Sequence, residues 1–317
     1  MTRELPLRIA LFGAGPQAQR WAWALARHAS LVSGSEARAD AVVLGPGTRE
    51  PLGLARQTLR AGRPVLWACG QLPNPWQLSG LDVLSSPGGA FTRFYDPLQY
   101  GGGYALLRRF LRGPEPLWRP LYLRVLGKPG GGGRLDQGVI EALAASQALL
   151  DGEAERVASS AARNERGEPV ALFLDVQYRG GQVLQVTCGL AERGGQMVAV
   201  TPGRTLRVED DRLRISPLAQ GSRERLLEGS ARDPVLEEAG RFAKAAADHD
   251  GAAGNSERWL SVSAIWWAAR ESLNRGTSMA VPSAPFTDIE TPPFKVIQGG
   301  GNVARIGPSR RLTLVAS

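Results

Sequence analysis

Leu7-Arg8-Ile9-Ala10-Leu11-Phe12-Gly13-Ala14-Gly15-Pro16-Gln17-Ala18 is the stretch that decides how this chain is read. Residues 7–12 are mostly apolar, the pattern of a short buried strand. A G-x-G-x-x-A follows at once, and the Ala-, Leu- and Trp-rich run from Gln19 to Ala29 reads as a helix. Strand, glycine turn and helix in this order form the setting in which the pyrophosphate of a dinucleotide is bound. Gly13 permits the tight turn, Gly15 leaves space for the pyrophosphate, and Ala18 lets the helix pack close to the strand. Pro16 and Gln17 open the helix, whose N-terminal amides would face the phosphates.

Outward from this stretch the pattern is less regular. Ala29-Ser30-Leu31-Val32 predicts the second strand, and Ser33 stands where such folds usually present an acid to the ribose. Ser33, Ser35 and Arg38 suit a 2′-phosphate, which favours NADP over NAD; a plain polar turn is the alternative. Ala41-Val42-Val43-Leu44 predicts the next strand, so soon that one strand–helix unit is shortened or missing. Gly45 opens the turn after it and joins the expected cofactor-binding residues. A helix over Pro51–Ala61, a strand over Val65–Ala68, a loop over Gln71–Trp76, a short strand at Val83-Leu84 and a helix within Gly101–Arg112 complete this half.

From residue 117 the texture changes. A strand within Leu117–Leu126 leads through a glycine loop to an apolar helix over Leu135–Leu150. Strands are then predicted over Glu155–Ala162, Val170–Tyr178, Val183–Leu190, Gln196–Val200, Thr205–Val208 and Leu213–Ile215. Arg179-Gly180-Gly181 and Glu192-Arg193-Gly194-Gly195 read as hairpin turns between them. Helices follow over Pro234–Asp248 and Glu257–Leu273, then an irregular Pro-, Gly- and Arg-rich tail from Thr277. The expected class is α/β followed by α+β: a shortened Rossmann-like parallel sheet in 1–116, then a large, mainly antiparallel open sheet in 117–317. The late helix 257–273 is expected to pack back toward the first domain.

Composition narrows the function classes. The chain has 317 residues, 43% hydrophobic and 21% charged, enough for two domains with a sizeable core. No apolar run reaches the roughly 18–20 residues of a membrane span, and MTRELPLRIALFGAG lacks the form of a signal peptide, so a cytoplasmic protein is expected. Cys69 and Cys188 alone exclude a disulfide framework and a cysteine zinc site. With only His28 and His249 as histidines, no metal site is expected. The net charge is +8, and all but three of the 38 basic residues are arginines. Their dispersal, and the lack of any nucleic-acid-binding motif, reads as coding bias rather than a nucleic-acid footprint.

Five segments in order resemble the glucose–fructose oxidoreductase, inositol dehydrogenase and MocA family of NAD(P)-dependent oxidoreductases. They are Leu11–Pro16, Ala61-Gly62-Arg63-Pro64-Val65-Leu66, Thr92-Arg93-Phe94-Tyr95-Asp96-Pro97, Gly131-Gly132-Gly133-Arg134-Leu135-Asp136-Gln137-Gly138, and Ser263-Ala264-Ile265 through Gly276. The resemblance implies hydride transfer on a small sugar- or polyol-like substrate, and a homodimer formed through the open face of the C-terminal sheet. It also exposes departures. Cys69 stands at the family's catalytic lysine, Ile140 at its histidine, Leu143 at its second helix carboxylate and Ser33 at its ribose acid. A thiol cannot supply the lysine's charge. One reading is an oxidoreductase with relocated groups, with Lys128 as general acid and Asp136 and Tyr95 assisting. The other is a catalytically inactive relative that binds a nucleotide or small molecule, or serves as a dimeric scaffold.

Overall fold

The computed structural model describes residues 7–32, 38–85, 89–113, 119–129, 134–150, 152–190, 195–219 and 223–283. The first half is a five-stranded parallel sheet in the order β2-β1-β3-β4-β5. Its strands are β1 (Arg8–Phe12), β2 (Ser30–Val32), β3 (Ala41–Leu44), β4 (Val65–Trp67) and β5 (Thr92–Phe94). The helices are α1 (Pro16–Leu25), α2 (Pro51–Arg60), α3 (Pro75–Leu84) and α4 (Gly102–Leu111). A six-stranded dinucleotide sheet runs 3-2-1-4-5-6; removing its outermost strand leaves the order seen here. The short chain between β2 and β3 accounts for that loss.

β3 and β4 are buried on both faces, which is why they read as unbroken apolar runs. Ile9, Ala41, Val43 and Leu66 point to one face, covered by Trp21 and Leu25 of α1 and by Phe242 and Ala239 of α6 (Pro234–Ala247). Ala10, Val42, Leu44, Val65 and Trp67 point to the other, against Leu59 of α2, Leu78 and Leu81 of α3, and Trp259 of α7 (Ser256–Arg275). Helices from the end of the chain thus cover both faces of the first sheet. Asp233 caps α6 by accepting from the Val235 N–H at 3.0 Å, and it pairs with Arg20 of α1 at 2.9 Å.

The second sheet has nine strands in the order β13-β12-β11-β10-β6-β9-β8-β7-β14. They are β6 (Tyr122–Gly127), β7 (Ala154–Arg163), β8 (Pro169–Tyr178), β9 (Val183–Gly189), β10 (Gln196–Thr201), β11 (Arg204–Glu209), β12 (Arg212–Pro217), β13 (Arg225–Glu228) and β14 (Met279–Ala280). Leu172, Leu174, Val176, Leu184, Val186 and Cys188 face a layer formed by α5 (Leu135–Gln147) and α7. α5 reaches β6 and β9 closely because Gly138 has no side chain. A Cβ there would lie 2.1 Å from the Lys128 carbonyl oxygen and 2.6 Å from Cys188 Sγ.

Three expectations are corrected. Val83-Leu84 is the end of α3, not a strand. Its start is set by an Asn74–Gln77 capping box, in which Asn74 Oδ1 accepts from the Gln77 N–H at 2.8 Å, with Pro75 at the first helical position. The fifth strand is instead Thr92–Phe94. β9 and β10 do not form a hairpin, since β6 lies between them, parallel to β9 and antiparallel to β10. The predicted turn itself falls partly outside the described residues. The large sheet is therefore mixed. Finally, the chain after Thr277 begins with β14, which pairs with β7; the rest of that tail lies outside the described residues.

Candidate functional site

The first wall of the site is the glycine loop. Gly13 has φ +147° and Gly15 has φ +83°, conformations that favour glycine. The Ala14 N–H donates to the Pro46 carbonyl at 2.8 Å and the Gly45 N–H to that of Phe12 at 2.7 Å. The Thr48 hydroxyl donates to the Phe12 and Gly45 carbonyls at 2.9 and 2.6 Å. The turn after β3 is thereby clipped onto the end of β1, so close that a Cβ on Gly13 would sit 2.7 Å from Pro46 O. Over Gly15 the situation is opposite: an added Cβ meets nothing within 4 Å. Gly15 is the N-cap of α1 and no side chain caps that helix. Its early amides are left for an anion. β1 lies between β2 and β3, so the loop opens where the strand order reverses, the position at which open α/β sheets bind ligands.

The expected cofactor residues fall into two groups here. Gly13, Gly15, Pro16 and Gln17 are exposed along the crevice. Ala18 and Gly45 are buried and support it from beneath. Arg38 is exposed, and Ser33 lies outside the described residues. The nearby Asp40 is engaged elsewhere: it binds the Arg8 guanidinium at 2.7 Å and accepts the Arg8 N–H at 2.9 Å. Arg20 is turned to Asp233 and does not fill the space over Gly15.

The second wall joins the ends of β4 and β5 to the start of α5. Cys69 is buried, and burial pushes its thiol up to about 11. It is a small apolar group rather than a charge. Gly70, at φ +72°, brings the backbone against Gln137, whose side chain lies 3.4 Å from where a Cβ would be. Gln137 Nε2 donates to Glu141 Oε1 at 3.0 Å. Burial raises the Glu141 carboxyl above its ordinary range although this hydrogen bond opposes it. Tyr95 continues β5 and packs edge-on against Trp21, with ring centroids 5.0 Å apart. Burial, and next the Glu141 charge, raise its phenol. Asp96, fully buried, lies 3.2 Å from the Arg258 guanidinium; burial raises its carboxyl while Arg258 opposes.

Among the expected catalytic residues, Tyr95 packs on Trp21 and lies within electrostatic reach of Glu141. Asp136 sits one turn above it on α5 and is held by Arg134 at 2.8 Å, both partly exposed. Lys128 has its carbonyl packed on Gly138 and an exposed side chain. Ile140 is buried. Glu141 was missed, although it directly follows Ile140. An acid in the middle of an otherwise apolar stretch of helix was the available signal. Its electrostatic reach to Tyr95 depends on how α5 docks on the turn Pro97–Tyr100 that follows β5.

Behind the cluster, Glu238 of α6 is fully buried and accepts from the Arg93 guanidinium and the Tyr100 hydroxyl. Asn255 clasps the Phe94 backbone, accepting its N–H at 2.7 Å and donating to its carbonyl at 2.9 Å. Trp259 stacks on Phe94 at 5.3 Å and Trp267 meets Trp76 edge-on at 5.1 Å, so these tryptophans pack within the chain. Among the described residues no three His, Cys, Asp or Glu side chains converge as a metal site, and no helix is long and apolar enough to cross a membrane.

A parallel dinucleotide-type sheet with its crevice at the switch point, joined to a large open sheet, defines the two-domain fold of dehydrogenases anticipated above. Solved structures share it. UDP-N-acetylglucosamine 3-dehydrogenase GnnA from Acidithiobacillus ferrooxidans is similar with a TM-score of 0.72 and 15% identity, over 86% of this chain and 99% of that one. An NAD-binding oxidoreductase from Klebsiella pneumoniae matches at 0.72 and 15%, over 88% and 100%. An inositol dehydrogenase homolog from Azotobacter vinelandii, complexed with NADH and myo-inositol, matches at 0.68 and 13%, over 87% and 97%. These likenesses establish the fold. No protein-family model and no curated protein sequence matches the chain.

Proposed function

We propose that this chain is a cytoplasmic NAD(P)-dependent oxidoreductase acting on a small sugar- or polyol-like hydroxyl or carbonyl, with NADP favoured over NAD. The observation that carries the reading is the pairing of two walls. An unobstructed glycine crevice lies at the switch point, and a half-buried, hydrogen-bonded Gln137–Glu141 pair lies beside neighbouring strand ends with Tyr95 in electrostatic reach. The nicotinamide, when bound, supplies the hydride acceptor or donor. Gly13, Gly15, Pro16 and Gln17 line the pyrophosphate site, Ala18 and Gly45 shape it, and Ser33 and Arg38 meet the 2′-phosphate. Glu141, oriented by Gln137, takes the proton of a substrate hydroxyl as hydride leaves its carbon, and Tyr95 hydrogen-bonds the same oxygen. Lys128 and Asp136 serve at the rim, orienting the rest of the substrate. The sugar-like substrate class is supported by the GnnA and inositol dehydrogenase likenesses. That neither Cys69 nor Cys188 forms a disulfide suits a reducing compartment.

Fluorescence titration with NADPH and NADH tests the cofactor assignment: NADPH should bind more tightly, and no binding of either at millimolar concentration overturns it. Screening sugars and polyols for reduction of NADP then tests the chemistry. Glu141→Gln should abolish turnover while leaving NADPH affinity unchanged, and unchanged turnover removes Glu141 from the proposal. A second reading, a catalytically inactive dinucleotide binder, is favoured by the apolar Cys69 and Ile140 in place of Lys and His. Tight NADPH binding with no turnover across the screen would select it. In either case we assign homodimerisation to the open face of the large sheet; a monomer in sedimentation equilibrium excludes that assignment.

A further inference from the structure

The far end of α5 borders a second concavity. A cavity of about 780 Å³ opens between the C-terminal turns of α4 and α5 and the first turns of α7. Along α5 it lies roughly 9–15 Å from the Gln137–Glu141 pair. Its lining includes Arg108, Arg112, Arg119 and Arg258, with Glu257 as the single acid among the described residues. The volume lies within the roughly 300–1,000 Å³ of small-molecule sites.

The arginines are arranged at a cost to the empty protein. Arg108 and Arg112 are one helical turn apart, a spacing at which like charges repel. The negative end of the α4 dipole offsets part of that repulsion. Asp96, whose charge favours Arg108, is already engaged by Arg258 at 3.2 Å. The Nε atoms of Arg108 and Arg258 are buried without a hydrogen-bond partner, although Arg258 reaches Asp96 with its terminal nitrogen. Burial, and then the charges of Arg112 and Arg258, pull the Arg108 guanidinium below its ordinary value. A doubly charged anion would relieve every one of these terms, and guanidinium forks match phosphate oxygens. The N-terminus of the 20-residue α7 adds amide dipoles on the same side.

We propose that this cavity binds the phosphate group of a phosphorylated small molecule, clamped by Arg108, Arg112 and Arg258. The site is a concavity of one small ligand's size, not a basic strip along which a duplex could lie. It is separate from the glycine crevice and does not depend on the oxidoreductase reading.

Calorimetric titration of the full chain with inorganic pyrophosphate at low salt tests the proposal. Saturable binding is expected. It should weaken at least tenfold in Arg108→Gln/Arg112→Gln and by less in Arg112→Gln alone, an exposed position that leaves the fold intact. Without pyrophosphate, the melting temperature of both variants should equal or exceed that of the parent, because the repulsion is gone. NADPH affinity should not change in either. Absence of saturable heat overturns the proposal. So does binding that survives in the double variant, or binding lost only in Gly15→Val, which would place the anion in the crevice. Arginine-dependent retention of a short DNA duplex without pyrophosphate binding would assign the cluster to nucleic acid instead, and overturn it too.

Discussion

Glu238→Gln should lower the stability of the protein by about 3 kcal/mol, because it removes one charge from a buried pair while leaving the volume unchanged. The Glu238 side chain is fully buried and that of Arg93 is 15% exposed. The carboxylate accepts from the Arg93 guanidinium, from the Tyr100 hydroxyl and, at 3.4 Å, from the Gln99 amide. Arg93 also donates to the Ala253 carbonyl at 2.8 Å. Burial works against the Arg93 charge, and Glu238 and Tyr100 outweigh it, holding the guanidinium above its ordinary value. Gln retains one acceptor but places an N–H₂ among donors and leaves Arg93 uncompensated. Breaking a buried pair from one side costs about 3–5 kcal/mol, and the retained acceptor puts Gln at the lower end. Unfolding entropy of roughly 2.1 cal/mol/K per residue over 317 residues amounts to about 0.7 kcal/mol/K, so the melting temperature should fall by about 4–5 °C. Scanning calorimetry at neutral pH reads this directly. Replacing both partners, as Arg93→Met with Glu238→Leu, should recover most of the loss, since no buried charge is then left alone. A fall of less than about 1 °C in Glu238→Gln, or a double variant no better than the single, would refute the reasoning.

Gly138→Ala should be strongly destabilising, by roughly 3 kcal/mol or more, since its methyl would overlap the Lys128 carbonyl oxygen at 2.1 Å; urea unfolding measures it, and a near-neutral result would mean α5 docks less tightly. Cys69 has a folded pKa of about 11 against an ordinary value of 9.0, so its protonated form is favoured on folding. Its contribution is whole below pH 9 and is lost as pH rises toward 11, a swing of about 3 kcal/mol. The stability of the parent relative to Cys69→Ala should therefore decline over that window, and a flat difference argues against a buried thiol. Asp40→Asn should cost at most about 1 kcal/mol, because the Arg8–Asp40 pair is half exposed. The Arg8 hydrogen bond holds the Asp40 carboxyl below the ordinary 3.8, so this contribution is present above that pH and lost as pH falls further. Denaturant midpoints across acid pH, with and without high salt, check it.

Much of the fold was legible because it rests on local patterns. The buried runs at Ile9–Phe12 and Ala41–Leu44, the proline and glycine boundaries of α2, and the alternation in β8 and β9 each follow from short-range sterics and the demand to bury one face. The capping box at Asn74 was equally local and was passed over, which turned the end of α3 into a strand. β13 was missed because all four of its residues are exposed at the sheet edge, so no alternation marks it. The crevice could be read from Gly13 and Gly15, whereas the second wall could be read only in part. Tyr95 belongs to a recognisable motif, while no local pattern marks Glu141.

By itself, the sequence determined the class of the fold, the glycine loop and the presence of a thiol and an apolar side chain at Cys69 and Ile140. Each of these is a matter of residue type within a window of a few residues. Tertiary structure alone decided that β6 enters between β9 and β10, that α6 returns to cover the first sheet, that Gln137 meets the chain at Gly70, and that Arg108, Arg112 and Arg258 share one cavity. Those pairings join segments far apart in the chain. They are set by strand order and helix docking, where the shape and burial of whole surfaces select one arrangement and local preference is silent.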